Sequence, residues 1–139
     1  MSRFARLALD TETPRRMIIR HPATGEPIVD RNGKEAYLEL YALASRRAQK
    51  VRAGIQQRRI EARVRRVTVQ EAEDEAMAVL AACVKDWHLV GFDGEEIAIA
   101  PSEAAAQELF ATDGMRYLFE QATLFADAAG NFLPASSTN

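Results

Sequence analysis

Cysteine, histidine and tryptophan are scarce in this chain of 139 residues, which has one cysteine, two histidines and one tryptophan. Cys83 alone cannot form an internal disulfide and cannot by itself hold a metal ion. Long apolar runs are lacking too, because nowhere do about 18 apolar residues follow one another, as a membrane span would need. Residues 1–16 contain no apolar core of a signal peptide. The sequence therefore predicts a cytoplasmic protein without a membrane partner.

Patterns associated with catalysis are lacking as well. Neither His21 nor His88 has a serine or cysteine nearby in a pattern that would activate a nucleophile. The adjacent acids Glu95 and Glu96 fall at a turn signal, where carboxylates are usually solvated. The chain has no glycine-rich phosphate loop, dinucleotide-binding fingerprint, zinc-protease motif or calcium loop. We therefore expect a protein that is not an enzyme, with no catalytic, cofactor-binding or metal-binding residues.

Negative charge is missing from one stretch of the chain and concentrated in another. Residues 45–66 contain nine Lys or Arg side chains and a single acid, Glu61. Residues 67–139 contain thirteen Asp or Glu side chains against Lys85 and Arg116. The formal net charge of −2 therefore conceals two blocks of opposite sign.

The N-terminal third predicts a short antiparallel sheet. Residues 1–16 mix arginine, threonine and proline with few large apolar side chains, which predicts a flexible arm. The Asn32-Gly33 pair supplies the positive-φ residues that a tight hairpin turn needs. Residues 36–42 then alternate with the period of two that is typical of a half-buried strand. Residues 17–44 are therefore predicted to form a β-hairpin region.

Two longer helices are predicted next. Between residues 45 and 66 the apolar side chains recur at helical spacing, with a shift of phase at residues 56–59. Thr68 and Glu71 then form a capping-box sequence, in which each side chain bonds the other's backbone amide, so a new helix begins there. Its apolar face extends to Trp87.

Shorter elements complete the prediction. The Asp-Gly pair at residues 93–94 indicates a second, smaller hairpin. Ser102 predicts the cap of a short helix. Asp113 predicts the cap of a last helix, for which Gly130 supplies the C-terminal stop. Residues 133–139 are small and polar, which predicts a disordered tail.

These signals together predict one domain of the α+β class that is mainly helical. Its elements are an N-terminal β-hairpin, two longer helices, a small second hairpin and two C-terminal helices, with residues 45–132 as the helical body. The side chains expected in its core include Trp87, Phe92, Leu109, Phe110, Leu118 and Phe125.

The basic helix is open to three interpretations. Its charged face could be solvated, with the acidic second helix balancing part of the charge. It could bind a protein with an acidic surface. It could also neutralise the phosphates of a nucleic acid, although the basic run has no stacking aromatics and no helix-turn-helix or zinc pattern accompanies it. The phosphate contacts would then come from Arg46, Arg47, Lys50, Arg52, Arg58, Arg59, Arg63, Arg65 and Arg66.

The order of several blocks resembles the tail assembly chaperones of long-tailed bacteriophages and prophages. In the first half these blocks are residues 22–28, Gly33, the strand at 37–41 and residues 45–48. In the second half they are a helix that ends at Trp87, then Val90, Asp93, Gly94, Ile97, Ser102, Glu103, Leu109, Phe110 and a last helix that runs to Asn131 and Phe132. The matched blocks span residues 17–132. The stretch between Ser45 and Thr68 is richer in arginine than the family pattern.

The resemblance implies a non-enzymatic protein that binds the tape measure protein before the tail tube forms around it. It also implies action in the host cell cytoplasm and absence from the mature virion. A longer frameshifted product of such proteins recruits tail tube subunits, and the sequence leaves open both that product and self-association. The alternative function is a basic-helix nucleic-acid-binding protein of phage or prophage origin. The residues predicted to contact the partner are Arg46, Arg47, Lys50, Arg58, Arg59, Arg63 and Arg66.

Overall fold

Four strands and four α-helices make up the part of the chain that the structure, a computed structural model, describes, which is residues 3–134. In chain order the elements are β1 (Arg15–Ile18), β2 (Tyr37–Leu40), α1 (Arg46–Glu61), α2 (Val69–Ala82), β3 (Val84–Val90), β4 (Glu96–Ile97), α3 (Glu103–Ala111) and α4 (Arg116–Asp127). Short 3₁₀ turns lie at Ala5–Leu7 and Ala129–Phe132. The α+β, mainly helical fold predicted from the sequence is confirmed.

The two predicted hairpins are joined in one sheet. The strands lie in the order β1-β2-β3-β4, and each neighbouring pair is antiparallel. Leu38 in β2 is opposite Met17 in β1 and opposite Trp87 in β3. All three side chains are buried, because residues directly opposite one another share a face of the sheet and this face is covered by helices.

Trp87 lies in a strand, so the prediction that it ends the second helix is wrong. The helix α2 stops at Ala82, and Trp87 sits in the middle of β3. Its indole Nε1 donates a hydrogen bond to the Ile99 carbonyl at 2.7 Å. Backbone pairing with β2 replaces helical bonding from Val84 onward, and this long-range pairing leaves no mark on the local apolar period.

Three helices begin at a hydroxyl side chain. Ser45 accepts from the Ala48 amide at 3.5 Å. Thr68 and Ser102 accept from the amides three residues on, at 3.1 and 3.0 Å, which confirms both predicted caps. The returning half of the capping box differs from the prediction, because the Glu71 carboxylate accepts from the Thr68 hydroxyl rather than from its backbone amide.

The helix ends were predicted less well. The helix α1 runs without interruption to Glu61 and stops before the last arginines of the basic stretch. Asp113 does not cap α4, because that helix begins at Arg116 with Met115 at the cap position and without a side-chain cap. Gly130 lies within the final 3₁₀ turn rather than in the left-handed conformation of a helix stop.

The core lies between one face of the sheet and the helices α2, α3 and α4. The α4 residues Leu118, Ala122 and Ala126 recur at helical spacing and are buried there. The side-chain amide of Gln121 anchors α4 to the backbone of Arg20, accepting at 3.0 Å and donating at 2.8 Å.

The aromatic core predictions are mostly correct. Trp87, Phe110 and Leu118 are buried, and Leu109 and Phe125 pack against the same cluster while half-buried. The prediction is wrong for Phe92, which lies in the turn after β3 and is 64% exposed. Its ring contacts those of His21 and Tyr117.

Part of the predicted flexible arm contacts the rest of the protein, and its last two residues, Arg15 and Arg16, begin the strand β1. The Asp10 amide donates to the Phe132 carbonyl at 2.8 Å. The Glu12 carboxylate accepts from the Arg46 amide at 3.2 Å. Mobility of the arm stays a prediction, and residues 135–139 of the predicted tail lie outside the described residues. Within residues 3–134 no helix combines the length and apolar character required to cross a bilayer.

Candidate functional site

The predicted contact residues originate in the helical hairpin of α1 and α2. Along α1 only Ala48 and Ile55 are fully buried, so the helix rests on its neighbours through a narrow apolar stripe. Most of the remaining fourteen positions are exposed, and six of the fourteen are basic. A helix held in this way presents its cationic side chains to solvent on more than one side.

Three basic side chains of α1 are engaged by the protein itself. Arg59 forms an ion pair with Glu75 of α2. Arg52 donates to the Leu43 carbonyl at 2.6 Å. A third guanidinium, from Arg47, lies 3.9 Å from the centre of a tyrosine ring, that of Tyr41, which is close enough for a cation–π interaction.

A basic groove lies between α1, α2 and α3. One wall is formed by Arg47, Lys50 and Arg58, and a cavity of about 480 Å³ separates them from α3. The floor consists of small and apolar side chains, and the opposite wall is polar. The floor and opposite wall comprise Val51, Gly54, Ala78, Ala82, Glu103 and Gln107.

The last arginines of the basic stretch lie beyond α1, at the tip of the helical hairpin. We define the hairpin tip as residues 60–70, all of which are exposed. It contains Arg63, Arg65 and Arg66, so the prediction that these side chains project from one continuous helix is wrong. The tip also exposes four large aliphatic side chains, namely those of Ile60, Val64, Val67 and Val69.

The structure thus divides the predicted contact residues into separate groups. Arg47, Lys50 and Arg58 come together in the basic groove. Arg59 does not line that groove and pairs with Glu75 of α2 instead. Arg46 lies in the first turn of α1, and Arg63 and Arg66 lie in the hairpin tip, which sequence reasoning could not separate from the helix.

Most of the positive charge of the basic stretch has no carboxylate within ion-pair distance in the described part of the chain. Among the nine Lys or Arg residues of the basic stretch, Arg59 alone has an acid within ion-pair distance in residues 3–134. The acids of α2 are directed elsewhere. Asp74 accepts from Gln70 within α2, and Glu73 pairs with Arg116 of α4 at 3.2 Å. The interpretation that α2 balances the charge of α1 therefore holds for Arg59 only.

A second polar cluster, missed in the sequence, lies on the face of the sheet away from the helices. His88 of β3 is buried, and its Nε2 lies 2.9 Å from an Asp30 carboxylate oxygen. Its Nδ1 lies 3.5 Å from Glu96. The hydrogen bond from the Lys34 amide, followed by that from His88, lowers the pKa of Asp30. The cluster joins the 30–34 turn to two strands, and no local pattern connects residues so far apart in sequence.

Within the described residues neither histidine is hydrogen-bonded to the Cys83 thiol. Burial raises the pKa of Cys83, whose Sγ lies 3.7 Å from the Ala42 carbonyl. Such a thiol is a core side chain rather than a nucleophile. Among residues 3–134 no group of three or more His, Cys, Asp or Glu side chains is placed to hold a metal ion.

Comparisons with known proteins supply no relative. No family model, no curated protein and no solved structure matches the chain.

Proposed function

We propose that this protein is a non-enzymatic tail assembly chaperone of a phage or prophage, which binds the tape measure protein and keeps it soluble until the tail tube polymerises. The observation that carries the proposal is the unpaired positive charge of the α1–α2 hairpin, together with the aliphatic side chains exposed at its tip. The order of sequence blocks that resembles the chaperone family supports the same function. The protein would act in the host cytoplasm and be absent from the virion.

The chemistry of the hairpin suits reversible binding of a long polypeptide. A tape measure protein is a long helical chain, whose apolar stripes aggregate if they stay uncovered. Exposed cations attract and orient an acidic chain before contact, because their field extends to about 8 Å at physiological ionic strength. Arg47, Lys50 and Arg58 line a groove of about 480 Å³, in which small floor residues let a partner approach closely.

Nucleic-acid binding is the second candidate, since unpaired arginines also suit phosphates. Phosphate binding would make the affinity fall steeply with rising salt. Exposed valine and isoleucine side chains at the hairpin tip contribute nothing to phosphate contacts, and the basic stretch carries no aromatic side chain for stacking on bases. A gel shift with nonspecific duplex DNA at low salt separates the two functions, because only the second predicts a complex.

Co-expression with the tape measure protein tests the proposal. We expect the tape measure protein to become soluble and to co-purify with this chain. The triple variant Arg47→Glu, Lys50→Glu, Arg58→Glu should reduce recovery about tenfold or more, whereas Lys85→Glu, an exposed change on β3, should leave it unchanged. If the tape measure protein stays insoluble and does not co-purify with the wild type, the proposed function is wrong.

A further inference from the structure

The hairpin tip is the longest continuous exposed stretch around the basic residues. Residues 60–70 are all exposed, although four of them are isoleucine or valine. The most accessible of these, Val69, is 79% exposed. Contiguous exposed apolar surface marks a contact site, and these four side chains lie within ten consecutive residues.

At the tip, the helix α1 ends in a backbone conformation that glycine adopts at a lower free-energy cost than other residues. The Arg63 amide donates to Ile60 O at 3.1 Å, and the Val64 amide donates to Arg59 O at 3.0 Å. This pair of bonds ends a helix through one residue in the left-handed conformation, usually glycine. Arg63 occupies that position with φ 54°. The guanidinium is thus placed at the tip against the conformational preference of its own backbone, as expected of a residue selected for contact.

Charge and apolar side chains alternate along the tip. Arg65 and Arg66 lie between Val64 and Val67, and Arg63 precedes them. The single acid of the stretch, Glu61, accepts from Gln57 at 3.2 Å, so the three guanidiniums have no carboxylate partner within residues 3–134. A complementary surface must therefore offer carboxylates around an apolar stripe.

We propose that the hairpin tip binds an acidic amphipathic helix of a partner protein, whose apolar stripe covers Ile60, Val64, Val67 and Val69 while its carboxylates pair with the tip arginines. Burial of the aliphatic side chains would stabilise the complex, and the arginine pairs would set its orientation. A nucleic acid would use the arginines but leave the aliphatic side chains in water. The identity of the natural partner rests on the proposed function, whereas the chemistry of the surface does not.

A designed peptide tests this proposal directly. The probe is a fluorescent helical peptide with leucine at positions i, i+3, i+4 and i+7 and glutamate on the remaining face. Its control has the same composition in scrambled order, so that the charge is kept and the stripe is lost. We expect the striped peptide to bind the wild-type protein at least about tenfold more tightly than the scrambled one in fluorescence anisotropy. Equal affinities would overturn the proposal.

Variants of the tip locate the binding surface. The double variant Val64→Ser, Val67→Ser and the double variant Arg65→Glu, Arg66→Glu should each weaken binding of the striped peptide about tenfold. Leu124→Ser on α4, which is 74% exposed, and Lys85→Glu on β3 are the matched controls and should bind as the wild type does. Unchanged affinity of both tip variants, or an equal loss in the controls, would contradict the proposal. So would tighter binding of duplex DNA that depends on the arginines but not on the valines.

Arg63→Gly separates binding from folding. Glycine relieves the left-handed backbone and removes the guanidinium, so we expect an unchanged or higher melting temperature together with weaker peptide binding. A lower melting temperature with unchanged affinity would assign Arg63 a purely structural role and contradict the proposal.

If the tip variants lose the peptide but still co-purify with the tape measure protein, that protein binds elsewhere and the link between the two proposals fails. If the striped peptide binds but the tape measure protein does not, the tip surface stands and the proposed function fails.

Discussion

Around the sheet, several charged side chains pair with opposite charges. Arg16 of β1 pairs with Glu39 of β2 at 2.9 Å, and Arg31 pairs with Glu95 at 2.5 Å. On the α1–α2 hairpin, Arg59 alone among the nine basic residues has such a partner within residues 3–134. The difference separates charge that helps to hold the fold from charge that is available to another molecule. Stability should therefore depend on the sheet and binding on the hairpin.

Among the variants that test this difference, Leu38→Ala should cause the largest change in the free energy of unfolding. Leu38 is fully buried between Met17 and Trp87, and its truncation leaves a cavity, so we expect a loss of about 3 kcal/mol in the free energy of unfolding. Val69→Ala, at the exposed hairpin tip, should change it by less than about 0.5 kcal/mol. Urea unfolding measures both. Similar losses in the two variants would mean that the tip contributes to the core after all.

Trp87→Phe should have the next largest effect. The phenyl ring cannot donate to the Ile99 carbonyl and fills less space, so we expect a loss of about 2 kcal/mol in the free energy of unfolding. Phe92→Leu provides the aromatic control, because that ring is mostly exposed, and should cost less than about 0.5 kcal/mol. Thermal unfolding followed by circular dichroism compares the two. A larger loss of stability for Phe92→Leu than for Trp87→Phe would contradict the assignment of Trp87 to the core and of Phe92 to the surface.

Arg63→Gly should act in the opposite direction. The left-handed φ of 54° disfavours a side chain with a Cβ, and relief of that strain exceeds the added chain entropy of glycine in the unfolded state. We expect a gain of about 0.5–1 kcal/mol in the free energy of unfolding. Arg65→Gly, in the same tip but without a positive φ, is the control and should not stabilise. A loss with Arg63→Gly in urea titrations would show that the guanidinium has a structural partner.

Asp30→Asn should have the smallest effect at neutral pH and a distinct pH dependence. The amide oxygen can still accept from the amides of Asn32 and Lys34, which now bond the Asp30 carboxylate at 2.8 and 2.9 Å. Because the pKa of Asp30 is lowered in the folded state, its ionised form stabilises the protein above the ordinary pKa of an aspartate. This contribution is lost as the pH falls through the folded pKa. The variant should therefore lose less stability than the wild type between about pH 5 and pH 2.

Melting temperatures measured across that pH range check the prediction. Parallel curves for wild type and variant would mean that Asp30 does not contribute to acid unfolding.

Several parts of the fold could be predicted because their causes are local. The caps at Thr68 and Ser102 are confirmed, since a hydroxyl and an amide three residues later suffice to form them. The turn at Asn32-Gly33 is confirmed for Gly33, which has a φ of 82°, whereas the prediction of a positive φ is wrong for Asn32. Asp113 failed as a cap because the chain turns at Gly114 and α4 begins after Met115.

The candidate site could be predicted only in part. The concentration of arginines is a property of the sequence, but the division between the groove residue Lys50, the paired Arg59 and the tip residue Arg63 depends on where α1 ends. Helix ends reflect tertiary contacts as well as propensity. The His88 and Asp30 pair was missed because the two residues approach only when the 30–34 turn folds over β3.

The sequence by itself determined the division of charge along the chain, the starts of two helices and the positions of the tight turns, because each depends on residue type or on contacts within a few residues. Only the tertiary structure decided that Trp87 lies in a strand opposite Leu38 and that most of the hairpin arginines have no carboxylate partner among residues 3–134. Both outcomes depend on distances between segments far apart in sequence. Such contacts form only when the entropy cost of closing the intervening loop is offset by packing of the whole core.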